Sequence, residues 1–124
     1  MANPNIVNVT SIYGVTSYLI PATTSVTTWT ALTPTAGTVN KINNIVATNV
    51  TGSNATVTVS INSAAAGGGT AYRLIYQVPV PVNASIVIVD KSTAFYLGEA
   101  QSIVVTVGTS SAIELTASYE AITS

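Results

Sequence analysis

Two stretches of the chain alternate apolar and polar residues one by one, the pattern of a β-strand with one buried face. In the segment Ala55–Asn62 the apolar positions are Ala55, Val57, Val59 and Ile61. In the segment near the end of the sequence they are Ile113, Leu115, Ala117 and Tyr119. Because neighbouring strand residues point to opposite faces, we expect both segments to pack these side chains against a core.

The segment before the first of these strands, residues 39–50, is apolar enough to be its antiparallel neighbour. Residues 51–54, Thr-Gly-Ser-Asn, have the composition of a turn, so the pattern predicts a hairpin here. Within residues 39–50, Ile42, Ile45 and Val46 depart from strict alternation. That departure indicates a β-bulge or a strand covered on both faces.

A run of small residues, Ala-Ala-Ala-Gly-Gly-Gly at 64–69, predicts a mobile loop or hairpin tip. Residues 70–80 then resume a strand pattern. One face of this strand carries Tyr72, Leu74, Tyr76 and Val78. Proline cannot donate a backbone hydrogen bond, so Pro79 and Pro81 place residues 78–82 at a strand end, a sheet edge or a crossover between two sheets.

Further segments with strand character are residues 6–12, 15–20, 25–32, 85–89 and 103–107. Short strands at regular spacing with turn signals between them predict an all-β fold: a single antiparallel β-sandwich or jelly-roll-like barrel of about eight strands. We expect one domain over residues 1–124, with short terminal arms at about 1–5 and 121–124. The predicted core residues are Trp29, Val57, Val59, Ile61, Leu74, Ile103, Val105 and Leu115.

Charge is scarce along the whole chain. Charged residues make up 6% of the sequence and hydrophobic residues 48%, with a mean hydropathy of +0.53. Thr, Ser and Asn supply most of the polar surface, and they can be hydrogen-bonded at a protein contact without the cost of burying unpaired ions. A net charge of −1 also leaves little repulsion between copies. This composition favours assembly with other protein surfaces over the alternative of a neutral, dispersed monomer.

Several partners and settings are disfavoured by the same composition. Lys41, Arg73 and Lys91 are the only basic residues, too few to neutralise a run of phosphates, so we expect no nucleic-acid partner. No apolar run is long enough to span a membrane, and the first residues lack the pattern of a signal peptide. We therefore expect a soluble chain made in a cytoplasm, with no membrane partner.

The residue types used most often in catalysis are missing. The sequence has no His and no Cys, which removes Ser-His-Asp and Cys-His arrangements and the usual transition-metal ligands. The acids are Asp90, Glu99, Glu114 and Glu120, and their spacing does not resemble a calcium loop. We predict that the chain is not an enzyme and needs no metal or cofactor.

The six tyrosines raise one other possibility, an aromatic platform for sugars. The positions are Tyr13, Tyr18, Tyr72, Tyr76, Tyr96 and Tyr119. The in-phase positions of Tyr72, Tyr76 and Tyr119 favour core packing with the hydroxyl groups at the rim, so carbohydrate binding is the weaker alternative.

Several segments carry a family resemblance. They are Gly-Thr-Val-Asn-Lys-Ile-Asn-Asn-Ile at 37–45, Tyr-Arg-Leu at 72–74, Val-Asp-Lys at 89–91, Tyr-Leu-Gly-Glu at 96–99 and Ala-Ser-Tyr-Glu at 117–120. In these segments the chain resembles small virion structural proteins of tailed bacteriophages, especially marine and cyanobacterial ones. Members of that family often have a second acid where this chain has Gly98, and another after Glu120, where it has Ala121.

The resemblance implies a non-enzymatic virion protein assembled in a host cytoplasm. The first expectation is a capsid decoration or cement protein that binds and stabilises the major capsid lattice, as a homo-oligomer. The alternatives are a module of the tail, neck or fibre attachment, and a receptor- or carbohydrate-binding module. Predicted interface residues lie in the arms, the glycine run and the proline segment: Asn3, Pro4, Asn5, Gly67, Gly68, Gly69, Pro79, Pro81, Ile122 and Thr123.

Overall fold

The computed structural model describes residues 9–123, which form nine β-strands and two short 3-10 helices. In chain order they are β1 Ser11–Leu19, β2 Thr27–Thr28, η1 Thr30–Leu32, β3 Thr38–Asn49, β4 Ala55–Asn62, β5 Ala71–Val80, β6 Ser85–Val89, η2 Lys91–Thr93, β7 Phe95–Leu97, β8 Ser102–Val107 and β9 Ile113–Thr123. The all-β class predicted from the alternating pattern is confirmed, and the bounds of β4 and β6 coincide with the predicted segments.

The strands pair into two antiparallel sheets that pack as a sandwich. Sheet A has the order β1, β9, β3, β6, and β7 pairs with the first part of β3. Sheet B has the order β2, β8, β4, β5. The alternation of β9 follows from this arrangement: Ile113, Leu115, Ala117 and Tyr119 are buried between the sheets.

Trp29 lies in the core, as predicted, and hydrogen-bonds to both sheets. Its backbone N–H donates to the carbonyl of Ile103 in β8 at 2.8 Å, and its indole Nε1 donates to Ser17 Oγ in β1 at 3.1 Å. Of the other predicted core residues, Val57, Val59, Ile103, Val105 and Leu115 are buried. Ile61 and Leu74 are half-buried and pack against that cluster.

The predicted hairpin between residues 39–50 and 55–62 is wrong. β3 lies in sheet A between β9 and β6, whereas β4 lies in sheet B between β8 and β5. Residues 51–54 therefore carry the chain from one sheet to the other. An amphipathic strand pattern shows that one face is buried, but it does not show whether the next strand pairs beside it or packs opposite it. The predicted bulge in β3 is confirmed by register shifts at Ile42/Asn44 and Ile45/Val46.

Asn49 closes β3 and organises this crossover. Its Oδ1 accepts hydrogen bonds from the backbone N–H of Thr51 at 2.9 Å and from the Thr51 hydroxyl at 2.7 Å. Its Nδ2 donates to the carbonyls of Ser53 at 2.7 Å and of Val80, at the end of β5, at 2.9 Å. One buried amide therefore satisfies both the turn and a backbone group of the opposite sheet.

β4 and β5 do form a hairpin, with residues 64–69 at its tip. β5 is the edge strand of sheet B, and after it the chain crosses to β6 in sheet A. The placement of residues 78–82 at a sheet edge and crossover is confirmed. Pro79 is tolerated within β5 because an edge strand has one side on which no hydrogen bond is required.

The prediction that Tyr72 and Tyr76 pack in the core is wrong. Their side chains are 63% and 60% exposed. The register between β4 and β5 shifts twice, and each shift gives β5 one extra residue, so strict alternation is lost. Leu74 and the next residue, Ile75, consequently both pack against the core. Tyr119 alone of the three tyrosines expected inside is buried; burial raises the pKa of its phenol, whose hydroxyl donates to the Ala31 carbonyl at 3.1 Å.

Three other predicted elements differ from the structure. Most of residues 15–20 and the end of 6–12 belong to one strand, β1 Ser11–Leu19, which pairs with β9 without interruption through Gly14. In residues 25–32 only Thr27–Thr28 are a strand, because the chain turns at Trp29 into η1 and buries Leu32. Residues 6–8 lie outside the described range.

The C-terminal arm predicted at residues 121–124 is also wrong for its described part. Residues 121–123 are the last part of β9, between β1 and β3. Ile122 lies between Ile12 and Val39 and is buried. The predicted N-terminal arm, residues 1–5, lies outside the described residues.

Candidate interaction surface

The outer face of sheet A brings together polar residues from three strands. Since Tyr119 points into the core, its neighbours Ser118 and Glu120 point outward. Glu120 pairs with Gly14 of β1 on one side and with Lys41 of β3 on the other. Cross-strand partners share a face of the sheet, so these three positions form one row across its outer surface.

A shallow groove follows this row. Gly14 has no Cβ, and a Cβ placed there would meet no atom within 4 Å. The resulting groove encloses about 500 Å³ and is bordered by Gly14, Val15, Thr16, Lys41, Asn43, Lys91, Ser118, Tyr119 and Glu120. Because the groove contains two of the three basic residues of the sequence and one of its four acids, it concentrates the little charge that the chain has.

The bulge in β3 shapes one wall of the groove. Ile42 pairs with Tyr119 and Asn44 with Ser118, so Asn43 is the extra residue. The Asn44 side chain takes the place of a backbone acceptor at this interruption of the strand pairing, because its Oδ1 accepts the Ser118 N–H at 3.0 Å. Asn43 Nδ2 donates to Glu120 Oε1 at 3.5 Å, so this side chain links the bulge to the acid of the row.

Exposed apolar side chains lie on both sides of the groove. On one side Val46 pairs with Val87 of β6 and with Thr116 of β9, whose other partner is Tyr18 of β1. Tyr18 and Val87 are 79% and 63% exposed. On the other side Ile12 is exposed, and Tyr96 of β7, which pairs with Lys41, is exposed at the end of the row. The outer face of sheet A thus combines a polar, hydrogen-bonding centre with an apolar margin.

The outer face of sheet B is different. Its groove, of about 260 Å³, is lined mostly by uncharged residues, with Arg73 as its one ionic group: Val26, Thr58, Ser60, Asn62, Gly67, Gly69, Ala71, Arg73, Val104 and Thr106. Beside it the Arg73 guanidinium stacks over the Tyr76 ring at 5.1 Å from the ring centre. That cation–π contact orders the arginine along the sheet edge.

The glycine tip predicted as an interface is hydrogen-bonded into the fold. Asn62 Oδ1 accepts the N–H groups of Ala64 at 3.0 Å and Gly69 at 2.9 Å, and its Nδ2 donates to the Gly67 and Gly69 carbonyls at 3.2 and 3.3 Å. The Ser102 hydroxyl also donates to the Ala64 carbonyl at 2.7 Å. The tip is therefore tied to its own strand and to β8, and of the two predicted alternatives, a mobile loop or a hairpin tip, the structure shows the hairpin tip.

The three glycines of the tip are not equivalent. Gly67 has a φ of +80° and faces β2, since a Cβ there would lie 2.5 Å from Thr28 Oγ1. Gly69 is backed by Ser63 and Asn62, and Gly68 alone has open space around it. Of the tip, only Gly68 therefore offers room for close contact with a partner.

The remaining predicted interface residues lie in separate places. Pro79 and Pro81 are exposed at the β5 edge, on the opposite side of the sandwich from β1. Thr123 is half-buried at the end of β9, where its hydroxyl bonds to that of Thr38 at 3.3 Å. Asn3, Pro4 and Asn5 lie outside the described residues. The outer-face groove was not predicted, since it joins residues from β1, β3, β9 and η2 that no local pattern connects.

The exposed tyrosines do not form one platform. Tyr13 and Tyr18 lie on β1, Tyr96 on β7, and Tyr72 and Tyr76 on β5 of the other sheet. Aromatic side chains on opposite sheets cannot stack on one sugar. This dispersion weakens the carbohydrate-binding alternative.

Acidic groups do not converge in the described part of the chain. Residues 9–123 contain no group of three or more His, Cys, Asp or Glu side chains close enough to hold a metal ion together. Asp90 bonds to its own turn: its Oδ1 accepts the Ser92 hydroxyl at 2.6 Å and the Ser92 N–H at 2.9 Å. Within the same range no helix is long and apolar enough to span a membrane.

Comparisons with protein-family models, with curated proteins and with solved structures each found no match. The surface of this chain is therefore the guide to its function.

Proposed function

We propose that the chain is a non-enzymatic structural protein of a tailed-phage virion, and that it acts as a capsid decoration protein. The observation that carries the proposal is the outer face of sheet A, where exposed Tyr18, Val87, Ile12 and Tyr96 surround a polar groove. Exposed aromatic and aliphatic side chains together with hydrogen-bonding groups on one face are typical of protein interfaces, in which aromatic residues are enriched and about ten hydrogen bonds are formed. The scarcity of charge supports the same conclusion, because little has to be desolvated on contact.

The mechanism requires no chemical step. A protein that binds only the assembled shell stabilises that shell by its binding free energy, so occupancy of many equivalent sites adds up over the particle. The sandwich suits this task because its outer face is fixed by a full antiparallel ladder and a shared core, so little conformational entropy is lost on binding.

The first test is the location and copy number of the chain. Particles are separated into capsid and tail fractions, and the chain is quantified in each against the major capsid protein. Decoration predicts near-stoichiometric amounts in the capsid fraction. A few copies per particle, or recovery only with tails, would contradict it and favour the tail or neck alternative.

The second test asks which face binds. Val87 on sheet A and Val26 beside sheet B are matched, at 63% and 65% exposed. Shells stripped of the chain are mixed with Val87→Asp or Val26→Asp protein and pelleted. Because an unpaired carboxylate at an interface costs several kcal/mol, we expect Val87→Asp to weaken binding roughly tenfold or more. Val26→Asp should bind like the unchanged chain; equal binding by both variants argues against the outer face of sheet A.

A further inference from the structure

The two sheets have four sets of edge strands, and three of them are unsuited to pairing with another strand. β2 has two residues, and the far edge of sheet A is divided between β6 and β7, of five and three residues. β5 is long but carries two bulges, Pro79 and a residue with positive φ, Gln77 at +48°. Short length, bulges and proline are the usual means by which proteins prevent edge-to-edge association.

β1 has none of these protections. It runs for nine residues, Ser-Ile-Tyr-Gly-Val-Thr-Ser-Tyr-Leu, without proline or charge. It pairs with β9 residue for residue from Ser11 to Leu19 with no register shift. Among residues 9–123 no strand pairs with its other side, so a straight row of backbone donors and acceptors is left along that edge. Such an edge is a template for strand addition.

We propose that this edge pairs antiparallel with β1 of a second copy about a two-fold axis at Val15, joining two A sheets into one. In that register Ile12 faces Tyr18 of the second copy, and Gly14 faces Thr16. The large exposed side chains meet each other, and the glycine accommodates the β-branched residue. Identical strands bring identical charges together, so the absence of charge in β1 is what permits a copy of the same chain as the partner.

The pairing has a consequence for the groove. Gly14 borders it from β1, so the two outer-face grooves of the pair lie side by side across the axis. This inference rests on the proposed function, because a decoration protein must also associate with other protein surfaces. It identifies one partner of the chain as a second copy of the same chain. The purified chain tests it without any capsid, so its failure and that of the decoration role are distinguishable.

The first experiment measures association of the full chain by sedimentation velocity over a concentration series. We expect a monomer–dimer equilibrium. In the pair each Tyr18 faces Ile12 of the other copy, so Tyr18→Lys places a charge in two symmetric contacts. This variant should weaken dimerisation roughly tenfold. Tyr72→Lys makes the same change at an exposed tyrosine of β5 and should leave it unchanged. A chain that stays monomeric at every concentration, or equal effects of the two variants, overturns the proposal.

The second experiment tests the register and uses the absence of cysteine in the sequence. Chains with Gly14→Cys and chains with Thr16→Cys are mixed in oxidised glutathione. Directly opposed residues on paired strands lie within the Cα separation that a disulfide needs, whereas diagonal ones lie too far apart. The mixture should therefore cross-link several times faster than either variant alone. Equal rates overturn the two-fold register at Val15.

Discussion

Asn49 and Asn62 occupy equivalent positions at strand ends but stabilise different parts of the fold. Each is buried, each is the last residue of a strand, and each accepts the backbone N–H two residues further on, from Thr51 and Ala64. The difference lies in the amide nitrogens. Asn49 donates to Val80, on the opposite sheet, whereas the donors and acceptors of the Asn62 side chain bond within residues 64–69.

An asparagine at the end of a strand can thus either connect two sheets by hydrogen bonds or stabilise a single loop. An asparagine that follows a strand readily accepts a bond from its own turn. What its NH₂ group reaches depends on where the chain goes next. After β3 the chain crosses between sheets, and after β4 it returns beside the same strand.

Asn49→Ala should destabilise the fold more than a change at any other turn residue of the sandwich. It removes four hydrogen bonds and leaves the buried Val80 carbonyl without its partner, so we expect a loss of about 2–4 kcal/mol in the free energy of unfolding. Urea denaturation measures it. Asn54→Ala, at an exposed position of the same crossover, is the control and should cost little. Equal costs for the two variants would show that the link between sheets contributes nothing.

Asn62→Ala should cost less, about 1–2 kcal/mol, because its bonds stabilise only the tip. Hydrogen exchange separates local from global opening. The amides of Ala64 and Gly69 bond to Asn62 Oδ1 and should exchange faster, while those of β3 and β9 should be less affected. A uniform rise in exchange over both sheets would contradict the distinction between the two asparagines.

A smaller effect is expected at the glycine tip that Asn62 organises. Gly67→Ala puts a side chain at a φ of +80° and against Thr28, so we expect destabilisation of about 1 kcal/mol or somewhat more. Gly68→Ala enters open space at an ordinary φ and should be neutral or slightly stabilising. Thermal unfolding of the two variants provides the comparison. A reversed order would mean that the tip does not keep this geometry in solution.

At the surface, Asp90 forms the same kind of turn as the two asparagines, because its Oδ1 accepts the backbone N–H of Ser92, two residues further on. Changes at this exposed turn should have the smallest effect on stability. It follows β6, and the hydrogen bond from the Ser92 hydroxyl is the main reason that the pKa of its carboxyl lies below the usual 3.8. Because the pKa is lower in the folded state, the Asp90 carboxylate stabilises the fold at every pH above its unfolded-state pKa. This stabilisation is lost as the pH falls through the folded-state pKa. Near neutral pH the free energy of unfolding should therefore not change with pH on account of Asp90. Ser92→Ala should raise the Asp90 pKa in an NMR titration of the carboxyl carbon. An unchanged titration would show that this bond does not form.

The alternating pattern predicts those strands that contain no bulged residue of their own. β4 and β9 are of this kind, and the pattern identifies their inner residues one by one. β5 is not, because its two bulges move Tyr72 and Tyr76 out of phase with Leu74. These two bulges are set by how β5 meets β4, and the sequence of β5 alternates as if they were absent. The bulge in β3 could be predicted because Ile42, Ile45 and Val46 visibly break the alternation.

Pairing between distant segments also decides what can be predicted of the site. The row of Gly14, Glu120 and Lys41 exists because β9 lies between β1 and β3. In the sequence Glu120 is separated from the other two by more than half of the chain, and each of the three has an ordinary interpretation as a turn or surface residue. Ile122 was predicted to belong to a terminal arm for the same reason. Its burial follows only from its pairing with Ile12 of β1 and Val39 of β3.

The central position of β9 also has a consequence for how the protein is made. Sheet A cannot be completed until this strand has left the ribosome, because β1 and β3 have their principal partner in it. During synthesis the apolar faces of both strands lack this partner until the other eight described strands have been translated, as in other folds dominated by contacts between distant parts of the chain. β1 has no charged residue and β3 has only Lys41, so until β9 joins them these strands have little charge to prevent association with other apolar surfaces.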